Sequence, residues 1–387
     1  MSHLARPATA LVSLLLLSTG ASAQTEQDAP GSREGFGELP PRERATIWDR
    51  LTVFGQGRMR AEGTFDQLNG EDRVRGRMRV RAGASYLITE GLRAEIRLSS
   101  LSDFGDPRSP YWDFGDGAAG FDAIDFGVDR FYLSYEANDE VELRFGKFPH
   151  IFSAPPIYGE YVWDEDLHPA GLTAVWTIPT NEGGPRFDVR GAAYIAVENG
   201  GDSDPHMLGI QGNAWFPIDD TLTVQTAVGY SDWSALGSDG GRLIPSGNTP
   251  GNGGFGILEG FLAATWQGGP LGRTEAFVQA VNNVEDETGE DSGFAVEARF
   301  GNRQQEGDWN VFAGAFDFDA NSIFATVGQD DTPLPGTGIG EGQSGYQLGT
   351  EYLWRDNVAL RLWLITSDVG ADEDPYRVRL DLTFGVR

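Results

Sequence analysis

The chain has 387 residues, no cysteine and 53 glycines, and its 58 Asp and Glu outnumber 29 Lys and Arg. The lack of thiols excludes disulfide frameworks, thiolate nucleophiles and zinc–thiolate centres. A net charge of −29 excludes general nucleic-acid binding, which needs a basic surface to neutralise phosphates.

Residues 1–23 have the make-up of a secretory signal. Arg6 supplies a basic start, Ala8 to Leu17 an apolar run, and Ala21-Ser22-Ala23 a small-residue cleavage site. The run is shorter than the about 20 residues a membrane-spanning helix needs, and no later segment approaches that length. A mature chain in a membrane would therefore cross it as a closed barrel, which satisfies every backbone polar group in lipid. Residues 24–47, with Pro30, Pro40 and Pro41, read as a flexible periplasmic lead-in. From 48 to 387 no linker-like break appears, so a single barrel domain is expected.

Period-two segments bounded by turn residues predict sixteen strands, at 48–64, 73–89, 91–102, 129–138, 141–149, 171–179, 186–198, 206–217, 221–233, 256–267, 273–282, 293–302, 308–318, 345–355, 358–368 and 374–387. A tilted strand needs about 9–11 residues to cross the hydrocarbon. The connections alternate in length. Tight or modest ones fall around Glu90, Ala137–Glu140, Thr180–Pro185, Ile218–Asp220, Gly268–Gly272, Arg303–Gly307 and Asp356-Asn357. The intervening ones, such as 103–128, 150–170, 234–255, 283–292 and 319–344, are longer and rich in Gly, Pro and Asp. Short periplasmic turns and long external loops are the pattern of a transmembrane antiparallel β-barrel. A soluble sandwich also alternates its faces but gives no reason for every second connection to be short. The fold class expected is all-β.

The run from Arg73 to Arg81 carries five arginines at every second position, with Val74, Gly76, Met78 and Val80 between them. Alternate strand residues face opposite sides, so this segment pairs a charged face with an apolar one. A barrel with lipid outside and water inside requires that combination. Phe187, Val189, Gly191, Ala193, Ile195 and Val197 of one strand, and Tyr376 to Val386 at alternate positions of another, form lipid faces of the same kind. Tyr86, Tyr135, Phe216, Trp266, Phe300, Trp354 and Phe384 fall at strand ends and predict an inner aromatic girdle.

Assigning lipid faces fixes the inward set. Arg58, Arg60, Arg73, Arg75, Arg77, Arg79, Arg81, Arg93, Arg97, Arg377 and Arg379 would lie on four neighbouring strands as a single basic, pore-lining wall. Such a wall repels itself and calls for acidic partners. The 150–170 connection carries Glu160, Trp163, Asp164, Glu165 and Asp166. A loop that long without secondary structure is usually functional. Folded inward, it would narrow the channel and set carboxylates across from arginines. The resulting field would filter solutes by charge and size.

Sixteen strands, a basic wall and an acidic third loop resemble the general bacterial porins. The runs Phe145-Gly-Lys-Phe-Pro149 and Val162-Trp-Asp-Glu-Asp-Leu-His-Pro-Ala-Gly-Leu172 resemble, more specifically, the Gram-negative "putative porin" family. The resemblance implies a passive outer-membrane pore, often a homotrimer, that touches lipid and passes small hydrophilic solutes without a cofactor or metal. One departure is the C-terminus, which ends on Arg387 with Phe384 three residues earlier, where such barrels usually finish on an aromatic.

Three other functions compete. The arginine row chemically resembles that of phosphate-selective porins, because guanidinium forks match phosphate, but those also use lysine and Lys147 is the sole lysine here. A barrel enzyme would need a nucleophile. Ser153 lies near His150, yet no Gly-x-Ser-x-Gly surrounds it, and His168 and His206 stand apart in sequence. Asp330-Asp331 and Asp372-Glu-Asp374 suggest calcium sites but lack EF-hand spacing and read as solvated external loops. Passive diffusion through the pore is the function expected.

Overall fold

The computed structural model describes residues 47–386, except 67–71, 102–109, 115–123, 158–159, 182, 197–203, 235–247, 249–254, 270, 334–338, 340–341 and 369–373. The predicted signal segment 1–23, nearly all of the lead-in 24–47, and Arg387 lie outside the described residues.

Among the described residues there are seventeen strands: β1 (Leu51–Phe65), β2 (Arg73–Thr89), β3 (Leu92–Ser100), β4 (Trp112–Asp113), β5 (Phe126–Glu136), β6 (Val141–Lys147), β7 (Ala170–Ile178), β8 (Arg186–Ile195), β9 (His206–Pro217), β10 (Leu222–Ser234), β11 (Phe255–Gly269), β12 (Gly272–Asn283), β13 (Ser292–Gly301), β14 (Trp309–Phe318), β15 (Gln343–Arg355), β16 (Val358–Thr366) and β17 (Tyr376–Val386). β17 pairs with β1 from Gly55↔Val386 to Phe65↔Tyr376, so the antiparallel sheet closes and leaves no edge in lipid. Sixteen of the strands form the wall, as the periodicity predicts. The seventeenth, β4, is a two-residue piece that takes Arg77 and Met78 of β2 as partners. It occupies the edge of β2 beyond the end of β3 at Ser100.

Strand boundaries differ from expectation where local chemistry intervenes. Residues 48–50 do not extend β1; Ile47–Asp49 form a 3₁₀ turn instead. β6 stops at Lys147 because Pro149 has no N–H to donate. The tight turns are closed by side-chain acceptors. Asn138 Oδ1 accepts from the Glu140 and Val141 N–H groups, and Asp219 Oδ1 from those of Thr221 and Leu222.

Large apolar side chains stand exposed all around the outside, among them Val74, Phe131, Phe145, Leu172, Ile210, Leu262, Tyr346 and Leu380. A belt of that extent is incompatible with water and compatible with acyl chains. Tyr135, Trp266, Phe300, Trp354 and Phe384 are exposed at the short-turn ends of their strands, where the girdle is expected, and Trp176 and Trp309 are exposed near the same end.

The inside is divided. β8 to β14 turn Tyr194, Met207, Ala227, Phe261, Phe277 and Phe312 inward, and the connections 148–169 and 319–333 pack Phe148, Ile151, Phe152, Tyr161, Trp163 and Phe324 against them. The opposite side, from β16 through β17, β1 and β2 to β3, is charged.

Candidate functional site

The register of β1 on β2 juxtaposes arginines directly: Arg58 faces Arg79, and Arg60 faces Arg77. Guanidinium groups paired across strands repel unless carboxylates intervene. Three come from wall strands and one from the short β4. Glu62 on β1 accepts from Arg75 Nε at 2.7 Å and Arg379 Nε at 2.6 Å. Asp381 on β17 takes both arms of Arg60, at 2.7 and 2.9 Å. Asp113 on β4 accepts from Arg77 Nε at 2.6 Å and Arg75 Nη1 at 2.7 Å, and also meets Arg73, the most exposed of the row, at 3.3 Å. Asp129 on β5 accepts from Arg97 Nη2 at 2.8 Å.

The expected single basic wall is therefore corrected to an interleaved lattice of both signs. The reason is visible in the alternation: Glu62 continues the inward series of Arg58 and Arg60, and Asp381 that of Arg377 and Arg379. Arg93 lies on the same strand face as Arg97, nearer the short turn, and is half-buried. Arg377 donates to Thr64 Oγ1 and to the Asp331 carbonyl, both at 3.0 Å.

Tyr111, just before β4, holds this lattice from within the lumen. Arg60, Arg77 and Arg79 lie 4.6, 4.7 and 5.3 Å from its ring centre, and Arg58 Nη1 donates to its hydroxyl at 2.7 Å. Three guanidinium groups thus lie over one aromatic ring. Inward arginines on other strands follow the same rule of local pairing. Arg144 donates to Glu142 at 2.7 Å, Arg190 to Asp188 at 2.9 Å, and Arg303 lies 3.2 Å from Glu351. Sequence reasoning passed over these because none belongs to a run.

The 148–169 connection lies inside the barrel with two unlike sides. Its apolar side docks on the aromatic wall. Trp163 packs at a tilt against Phe152, ring centres 4.9 Å apart, and donates to Glu259 Oε1 at 3.1 Å, and the Tyr161 hydroxyl bridges Glu297 and Gln347 at 2.7 and 2.8 Å. Gly209 makes room for the Phe152 ring, which would stand 2.6 Å from a Cβ there. The acidic side faces the arginines. Asp166 accepts from Arg79 and, at 2.6 Å, from Arg81, while Glu165 lies 3.7 Å from Arg58. Asp164 accepts the Asp166 N–H at 2.7 Å. Trp163 thus anchors the loop to the far wall and does not face the arginines.

The motif residues quoted above have local reasons. Gly146 sits at φ +128°, where a Cβ would strike the Phe131 carbonyl oxygen at 2.4 Å. Lys147 Nζ donates to the His168 carbonyl at 2.6 Å and ties down the returning end of the loop.

The connection between β14 and β15 also folds inward. The Asp331 carboxylate accepts from Arg379, and the segment joins the first loop through Asp164 N–H to Val327 O at 2.9 Å and Gln329 N–H to Tyr161 O at 3.3 Å. Asn248 clasps it further, donating to the Ala320 and Ile323 carbonyls at 2.9 and 3.0 Å. The expectation that Asp330-Asp331 is a solvated external cluster is thus corrected, because a carboxylate finds stronger partners among the wall arginines. Asp372 and Glu373 lie outside the described residues.

Between loops and wall remains a cleft of about 20 Å³, lined by Arg58, Arg60, Arg361, Tyr111 and Trp363 together with Glu160, Asp164, Glu165, Asp166, Asp330 and Asp331. Burial, with Glu165, Asp164 and Asp331 close by, raises the Glu160 carboxyl well above the ordinary range. Burial with Asp330, Asp166 and Asp331 does the same to Asp164. Burial alone would raise Asp166 too, but Arg79 and Arg81 hold it low. His168, buried beside Arg130 and Arg97, is depressed and stays neutral, as suits its Nε2 lying 3.0 Å from Arg97 Nη2. His150 stacks on Trp163 at 5.7 Å, and Gln211 takes up both backbone groups of Ser153, at 2.6 and 3.1 Å.

A family model described as "putative porin" matches residues 58–242, which include the 145–172 signature. Among solved structures the fold is similar to Pseudomonas putida OprB in a high-pH structure, at 12% identity over 87% of this chain and 94% of that one, with a TM-score of 0.57. It is similar also to Salmonella typhi OmpF in complex with daunomycin, at 13% identity, 87% and 97% coverage and a TM-score of 0.53. A triple mutant of Rhodopseudomonas blastica porin matches at 12% identity, 87% and 100% coverage and a TM-score of 0.51. No curated protein matches the chain by sequence.

Proposed function

We propose that this chain is an outer-membrane porin through which ions and small hydrophilic solutes diffuse passively, with the charged cleft as its narrowest passage. The observation that carries the reading is a closed barrel, apolar outside, whose interior is crossed by two loops bearing carboxylates opposite an arginine-rich wall. A narrow passage with opposed charged banks orients dipolar solutes and admits them by size. On this reading Arg58, Arg60, Arg75, Arg77, Arg79 and Arg81 form one bank and the loop carrying Glu160 and Asp164–Asp166 the other.

The match to the porin family over 58–242 supports the reading. The carboxylates set among the wall arginines favour general passage over capture of phosphate. Residues 1–23 would be removed on export, 24–47 would stay on the periplasmic side, and 48–387 would form the barrel. Assembly as a homotrimer in contact with outer-membrane lipid belongs to the same proposal.

The test is electrical. Purified, refolded chain added to a planar lipid bilayer should produce discrete, stepwise conductance increments. A correctly folded barrel that leaves the bilayer insulating would refute the function.

A further inference from the structure

We infer that the segment 319–333 is a second restriction of the passage, one that limits the admitted solutes to a few heavy atoms, and that Asn248 and Phe324 are the positioning residues that hold it across the lumen. The inference rests on the porin reading and adds the size class of its solutes.

Three observations carry it. First, the segment crosses the lumen from wall to wall. Phe324 packs on Trp233 and Phe255 of the aromatic side, with ring centres 4.6 and 5.1 Å apart. Further along, Asp331 pairs with Arg379 of the charged side, lies 4.0 Å from Arg60 and offers its carbonyl to Arg377. Second, the segment fills space that water would otherwise occupy. Ile323, Phe324, Ala325, Val327 and Gln329 are all buried inside the barrel. The cleft of about 20 Å³ is lined in part by Asp330 and Asp331. A space of that size holds about one or two waters, so a slender solute can thread it and a disaccharide cannot.

Third, side chains rather than a sheet ladder hold the segment, which contributes no strand among the described residues. The buried Asn248 amide engages three of its backbone groups: it donates to the Ala320 and Ile323 carbonyls and accepts the Ala325 N–H at 3.1 Å. The 148–169 loop has its own anchors on the strands, from Trp163 to Glu259, Tyr161 to Glu297 and Ser153 to Gln211. Releasing the second segment therefore widens the passage while the first loop keeps its place.

The experiment follows the swelling of proteoliposomes in isosmotic glycerol and in isosmotic sucrose, with planar-bilayer conductance measured on the same preparations. The chains compared are wild type, Asn248→Ala, Phe324→Ala and, as a control, Glu306→Gln from the exposed pair with Arg355. Heat-modified gel mobility identifies the folded barrels, so a changed cutoff is read only from closed cylinders. Wild type should admit glycerol and exclude sucrose. Each segment variant should admit sucrose and conduct several-fold more current, and the control should do neither. Wild-type vesicles that admit sucrose, or that exclude glycerol while passing ions, overturn the inference without any variant. So do folded Asn248→Ala and Phe324→Ala barrels that both keep the wild-type cutoff. Each of these results leaves the porin reading standing, since current flows. A folded barrel that carries no current overturns both.

Discussion

Glu62→Gln tests whether the arginine wall is held together by its internal carboxylates. Glu62 is 1% exposed and accepts from Arg75 and Arg379 at 2.7 and 2.6 Å, with Arg77 Nη1 at 4.0 Å. Glutamine keeps the shape of the side chain but removes its charge, and it turns one acceptor into a donor facing a guanidinium. Hydrogen bonds to charged groups contribute about 1.5–3 kcal/mol each, and stripping one partner from a buried ion pair costs about 3–5 kcal/mol. The barrel should therefore lose about 3–5 kcal/mol. The Arg355–Glu306 pair, with side chains 58% and 49% exposed, gives the contrast. Pairs so exposed contribute about 0–1 kcal/mol, so Glu306→Gln should be nearly silent. Urea unfolding of barrels refolded in lipid vesicles, followed by heat-modified gel mobility, reads the difference as a lowered midpoint at unchanged slope. Equal midpoints for the two variants would refute the reasoning and would mean that the wall arginines are solvated well enough to need no partner.

Other consequences are open to measurement. Phe131, 63% exposed on the outer face, should tolerate arginine poorly, and Phe131→Arg should cost about 2–4 kcal/mol in the same vesicle assay; a neutral effect would place that face outside the acyl region. Tyr111→Ala removes the ring shared by three guanidinium groups and opens the cleft, so single-channel conductance should rise, whereas Tyr111→Phe should keep the ring and stay close to wild type. The third concerns pH. The carboxyls of Glu160 and Asp164 are raised, chiefly by burial and then by the acids Glu165, Asp166, Asp330 and Asp331 around them. Arg58, Arg60 and Arg361 face them across the cleft. Acidification should therefore neutralise these two carboxyls well above the ordinary carboxylate value of about 4, while Asp166, held low by Arg79 and Arg81, stays ionised. The ratio of K⁺ to Cl⁻ permeability should fall through that range, and the step should vanish in the Glu160→Gln/Asp164→Asn double variant.

Much of the architecture is legible in the sequence because a barrel strand is a strictly local signal. One residue faces lipid, the next faces the lumen, and turn residues such as Asn138 and Asp219 mark the ends. The sixteen wall strands follow from that alternation to within a few residues. The lumen is legible only in part. Glu62 and Asp381 could have been found by carrying the inward alternation past the arginines that drew the eye. Asp113, Tyr111 and Asp331 could not. They come from connections with no periodicity, and their positions are fixed by partners far away in the chain. Trp163 has a different lesson: an aromatic beside three acids suggests a place at the cleft, yet its bulk is satisfied only on the apolar wall, and that anchoring is what turns the neighbouring acids the other way.

Because the 148–169 and 319–333 segments are hydrogen-bonded to each other at Asp164–Val327 and Tyr161–Gln329, they make up one diaphragm rather than two independent flaps. On the porin reading, lengthening or recharging either segment would retune the passage, since neither segment contributes a strand to the surrounding sheet. Divergence of solute range among barrels built this way should thus concentrate in two stretches of sequence that change together, while the cylinder that carries them stays the same.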